Sequence, residues 1–218
     1  MQAMDRSIRQ GLDGAFLDGA GVAAGLLRHA AVADLWRNDS ALPEMSVGAL
    51  ACHLSRQMTR AAQLLGAPST LPLLASVDEH YARAGWVTST SPHDPANDHT
   101  TDDSEAELGH TQMLERLERD TSSTTGQLRS GMAQETIDIP WQGWALRRDD
   151  FLHTRLLEVV VHTTDLAESL QLPTPEFPEP AFAPVRDLLA RLAVRRHGQS
   201  AVISTLTRRE RARNISAF

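Results

Sequence analysis

The stretch LLEVVVHTTDLAESLQ, residues 156–171, leaves few folds open to this chain. On a helical wheel, Leu152, Leu156, Val159, Thr163, Leu166 and Leu170 form one seam. Leu157, Val160 and Val161 carry the apolar surface most of the way round. A helix that is apolar over most of its circumference has to be surrounded by other elements. One sector stays polar. It holds Arg155, Glu158, His162, Asp165 and Ser169, each three or four residues from the next and so neighbours in space, with Glu168 to one side.

The rest of the chain supplies helices to surround it. Segment 5–36 has helical composition, best developed in AAGLLRHAAVADLW. Ser46 is the expected N-cap of a helix in which Val47, Leu50, Leu54, Met58, Ala61 and Leu65 recur at steps of three and four. Gly66 is the expected C-cap, and Pro68 forbids continuation. A shorter helix is expected over 71–87, then a long polar and acidic surface loop from residue 88 to 103, then a helix over 104–130. Residues 135–150 have β-like composition with Pro140 and two Trp, and read as a structured connection. Asp149 or Asp150 is the expected cap of helix 151–171. The five prolines of PTPEFPEPAFAP, 173–184, predict an extended linker before one or two helices and a basic tail. Four principal helices with at least one more at the C-terminus point to an all-α, up-and-down bundle. Residues 1–172 form the expected bundle domain, and 173–218 the linker and a short C-terminal extension.

Composition narrows the function classes. The net charge of −7 is the wrong sign for a general nucleic-acid binder, so no nucleic-acid partner is expected. No apolar run reaches the roughly 20 residues of a membrane span, and the N-terminus lacks the pattern of a secretory signal. Cys52 is the lone cysteine, which fits a reducing, cytoplasmic setting. All 21 basic residues are Arg, in keeping with a high-GC genome.

The polar sector has two readings. It can face water, as in most amphipathic helices, or a wet pocket inside the bundle. In the second case Glu158 and His162 point at one ion from adjacent turns. A third ligand then comes from another helix, and His53, which borders the apolar face of its own, is the candidate. Two nitrogens, one oxygen and an open fourth position make the pattern of a catalytic zinc site, with nickel and Fe(II) also compatible with these donors.

The pair of segments ALPEMSVGALACHL and LHTRLLEVVVHTTDLAESL resembles the metal-binding N-terminal domain of mycothiol-dependent maleylpyruvate isomerase, in the DinB-like four-helix-bundle superfamily. The matching residues are Leu42, Pro43, Ser46, Val47, Leu50, His53 and Leu54, then Glu158, His162, Asp165 and Leu166. The resemblance covers roughly residues 10–170 and implies a DinB-like up-and-down four-helix bundle whose metal ligands are His53, Glu158 and His162. Glu44-Met45 stands where the family commonly has Gly-Trp. The isomerase proper carries a further C-terminal α/β domain, for which the residues after the proline-rich segment are too few. The resemblance implies a divalent metal, mycothiol as thiol cosubstrate and a small-molecule substrate, and the Arg-only composition fits an actinobacterial host. It implies an isomerase-like or thiol S-transferase reaction. A metal-dependent hydrolase and a non-catalytic metal-binding module are the alternatives, and a homodimer is open.

Other residues admit two roles. Asp165 can orient His162 or be a solvated helix charge. Arg155 can receive a substrate carboxylate or pair with Glu158, the pair being the expectation. Arg83 can bind an anionic substrate at the site's mouth, though a surface position is the expectation. Cys52 is expected to be a buried filler. His93, His99 and His110 are expected to be solvated, as is RRERAR, 208–213.

Overall fold

A computed structural model of the chain describes residues 11–88 and 100–218. Its helices are α1 Leu12–Leu27, α2 Ala30–Asp34, α3 Val47–Leu64, α4 Val77–Arg83, α5 Gly85–Thr88, α6 Thr100–Ala106, α7 His110–Ser130, α8 Arg148–Ser169, α9 Glu179–His197 and α10 Gln199–Thr207. A two-stranded antiparallel hairpin, β1 Thr136–Ile139 and β2 Trp144–Arg147, is the only sheet among the described residues. The fold is all-α and DinB-like, as the sequence implied. No helix of the described residues is long and apolar enough to cross a membrane.

The bundle is built from α1, α3, α7 and α8. Helix α8 is the inner one: Phe151, Leu152, Leu156 and Leu166 are fully buried. At Gly19 the α1 backbone passes so close that a Cβ there would lie 2.6 Å from Cδ1 of Leu156. Pairing across helices gives their directions. Contacts of His53 with Glu158 and of Gln57 with Arg155 make α3 and α8 antiparallel. Thr59 bonds Asp120 and Gln127 bonds the Ala62 carbonyl, so α3 and α7 run parallel. The bundle therefore runs up, down, down, up. The helix pattern alone had suggested plain alternation; the long connection from α3 to α7 is what lets two successive bundle helices share a direction.

Local signals account for some of the helix ends. The Ser46 hydroxyl caps α3 by accepting from Ala49 N–H at 3.1 Å. The C-cap of that helix is Leu65, one residue before the expected Gly66. Residues 71–87 are not one helix. Leu74 N–H donates to the Ala145 carbonyl and Ala145 N–H to that of Pro72, along the hairpin edge, and α4 starts only after Ser76, whose hydroxyl accepts from Glu79 N–H. Residues 100–106 are helical, where a loop to 103 was expected; the expected loop otherwise falls largely outside the described residues. The hairpin occupies the β-like connection. Helix α8 starts at Arg148 with Arg147 as its cap residue, so Asp149 and Asp150 lie in its first turn. The extended run after α8 covers 172–178, shorter than the prolines suggested, because Pro180 falls in the first turn of α9, where its missing N–H has no helical partner to lose. Helix α9 then packs on α1 and α8, with His153 Nε2 2.9 Å from the Pro184 carbonyl.

Glu44 adopts a left-handed backbone, φ 61°. That conformation favours glycine, the residue common at this position in the family pattern. Met45 beside it is buried.

Candidate metal centre

The antiparallel crossing of α3 and α8 brings His53 to Glu158 and His162. Four residues on one helix is about one turn, so Glu158 and His162 project together. Nε2 of His162 lies 3.2 Å, and Nε2 of His53 3.5 Å, from the same carboxylate oxygen, Oε2 of Glu158. The imidazole rings meet edge to face with centroids 4.6 Å apart. Their side chains are 15–20% exposed, so the cluster is neither core nor open surface. This decides between the two readings of the polar sector: it faces a partly enclosed site between helices.

Each imidazole is held from behind. Nδ1 of His162 bonds Oδ2 of Asp165 at 3.0 Å, and Nδ1 of His53 bonds Oδ2 of Asp102 at 3.1 Å. A proton fixed on Nδ1 makes Nε2, which faces Glu158, the nitrogen that a metal ligand offers once any proton on it has been displaced. Tetrahedral zinc with bonds of about 2.0–2.1 Å wants donor atoms roughly 3.3 Å apart. The two carboxylate–imidazole separations bracket that value, so the donor set fits a divalent ion. His53, Glu158 and His162 are the only trio of this kind among the described residues.

The charges are poised for exchange with a cation. Burial pushes the His162 imidazole down, but bonds to Asp165 and Glu158, with their charges, outweigh it and raise the pKa to about 9. Burial likewise tends to raise the Glu158 carboxyl, and bonds from His162 and His53 reverse this and hold it well below the usual range.

On the far side of Glu158 lie groups with fewer partners. Arg155 is buried and donates to Gln57 Oε1 at 2.7 Å and to Thr154 Oγ1 at 3.2 Å. The expected ion pair with Glu158 does not form: the guanidinium reaches across to α3 and acts on Glu158 only through space. The Tyr81 hydroxyl is buried with no hydrogen-bond partner among the described residues, and burial and the Glu158 charge push its pKa up. Burial, then the charge of Arg155, lowers Arg60 to about 10.

Other sequence candidates fall elsewhere. Arg83 is exposed and pairs with Glu79. Cys52 is fully buried, and burial drives its thiol up to about 12, which leaves it inert. His110 is not free in solvent: its Nε2 lies 2.8 Å from the Leu27 carbonyl. His93 and His99 lie outside the described residues. The 208–213 segment is exposed. Asp102, Gln57 and Tyr81 were missed. For Asp102 a signal existed: Asp102, Glu105 and Ala106 share a helical face whose acids complement His53 and Arg56.

Residues 18–167 match the family described as the mycothiol maleylpyruvate isomerase N-terminal domain. No curated protein and no solved structure matches the chain.

Proposed function

The chain belongs to the mycothiol maleylpyruvate isomerase N-terminal domain family, and on that premise we propose that it is a metal-dependent, mycothiol-using enzyme of the cytoplasm. It adds a thiol to, or transfers it onto, a small electrophilic substrate. The observation that carries the reading is the convergence of both Nε2 atoms on one Glu158 oxygen, with each Nδ1 tied to its own carboxylate. His53, Glu158 and His162 hold the ion, zinc being the best match to two nitrogens and one oxygen. Bound there, a divalent cation supplies the charge that keeps a thiol ionised near neutral pH.

The chain's own groups do the rest. Asp165 holds the His162 ring in place. Among the described residues Arg155 offers a buried cation with no carboxylate bonded to it, and Tyr81 a buried hydroxyl with no partner; together they suit a carboxylate on the substrate. In an isomerase cycle the sulfur bonds one carbon of a cis double bond as a proton reaches the other. Rotation about the single bond and elimination then return the thiol and the trans alkene. Residues 1–172 form the catalytic unit, and 173–218 buttress it through α9.

The test starts with metal content of the purified protein beside His53→Ala and His162→Ala. About one divalent ion per chain, lost in both variants, is the expected result, with turnover of a cis-enedione or related electrophile only when mycothiol is added. Turnover without any thiol would assign the site to hydrolysis. Stoichiometric metal with no turnover across thiols and esters would make it a binding module.

A further inference from the structure

Helix α6 is attached to the bundle in an unusual way. Its one fully buried side chain is a carboxylate: Asp102 is 2% exposed. Oδ2 of Asp102 bonds Nδ1 of His53 at 3.1 Å, and Oδ1 forms an ion pair with Arg56 at 2.7 Å. One turn on, Glu105 pairs with Arg56 at 2.8 Å and with Arg116 of α7 at 2.9 Å. Trp36 Nε1 donates to the Ala106 carbonyl at 2.9 Å. Polar ties thus join α6 to α3, to α7 and to Trp36, and the one from its buried side chain ends on His53.

We propose that Asp102 is a positioning residue for His53, and that docking of α6 and metal binding at His53 reinforce each other. The inference rests on the reading of His53 as a metal ligand. Asp102 selects the Nδ1–H tautomer and fixes the ring, so that Nε2 is offered to the ion. A cation on Nε2 in turn makes Nδ1–H a stronger donor to Asp102. Orienting carboxylates of this kind are worth about 10–100-fold in metal affinity. Linkage requires the same factor to appear in the docking of α6 when metal binds.

Zinc affinity, measured by competition with a chromophoric chelator, tests this in wild type, Asp102→Asn, Asp102→Glu and the exposed neighbour Asp103→Asn. Hydrogen exchange of the 100–106 amides with and without zinc provides a second readout that needs no variant. The expected result is a loss of about 10–100-fold in Asp102→Asn, partial recovery in Asp102→Glu and none lost in Asp103→Asn. Zinc should slow exchange in α6 of the wild type and leave Asp102→Asn unchanged. Equal affinities in Asp102→Asn and Asp103→Asn, or α6 exchange indifferent to zinc in the wild type, would overturn the inference while the metal site stands. A wild type that takes up no zinc would overturn both.

Discussion

Zinc bound at the proposed site would have to displace a proton, and the geometry around His162 points to the one on its Nε2. Both ring nitrogens of His162 face carboxylates, Nε2 at 3.2 Å from Glu158 and Nδ1 at 3.0 Å from Asp165. The ring is held as the imidazolium up to a pKa of about 9. An ion needs the Nε2 lone pair, so below that pKa the proton competes with it. Glu158, held well below the carboxylate range, is already ionised and adds no slope near neutrality. The apparent affinity should therefore rise about tenfold per pH unit from pH 7 and level off near 9. At pH 7, two units below, proton competition weakens binding about 100-fold, or roughly 2.7 kcal/mol. The assay is a chelator-buffered zinc titration across that range, with calorimetry in buffers of different ionisation enthalpy counting about one proton released per ion. Asp165→Asn, which removes one carboxylate from His162, should move the break to lower pH. An affinity flat between pH 7 and 9, with no proton released, would refute the reasoning.

The same pair makes metal-free stability pH-dependent. Because the folded His162 pKa lies above its ordinary 6.5, its contribution is complete below 6.5 and is lost as pH rises through about 9; chelated protein should lose up to about 3 kcal/mol across that window in urea melts, and zinc-loaded protein much less. Gly48→Ala would place a Cβ 2.6–2.8 Å from the Trp36 ring, which is pinned by its bond to Ala106; a destabilisation of about 1–3 kcal/mol is expected by denaturant unfolding, and an unchanged midpoint would mean the indole shifts freely. Arg155→Met removes a buried cation bonded only to neutral groups. It should leave the thermal midpoint unchanged or raised while raising KM for an anionic substrate, and a large loss of stability with KM intact would make Arg155 purely structural.

The parts of this site that were legible in the sequence are local or nearly so. Glu158 and His162 are one turn apart, and the apolar residues around them left one sector in which they could meet. His53 followed from its place at the border of an apolar face. Ser46 announced the start of α3 by cap chemistry alone. What was illegible depends on pairing across the chain. Arg155 sits at helical spacing from Glu158, yet its long side chain finds Gln57 on the neighbouring helix. Asp102 and Asp103 look alike in sequence; only the packing of α6 on α3 buries one and exposes the other. The parallel run of α3 and α7 was hidden because a long connection permits either direction.

His53 and Glu158 are 105 residues apart in the chain. An ion gripping both is a removable cross-link, the functional counterpart of a disulfide in a chain that has only one cysteine. Closing a loop of that length costs the unfolded chain about 4 kcal/mol of entropy. The unfolded chain offers Glu158 and His162 together but His53 only by chance. Tight coordination at the proposed site would therefore wait for α3 and α8 to meet, and the ion would lock a bundle already assembled instead of nucleating one. Chelation should then speed unfolding far more than it slows folding.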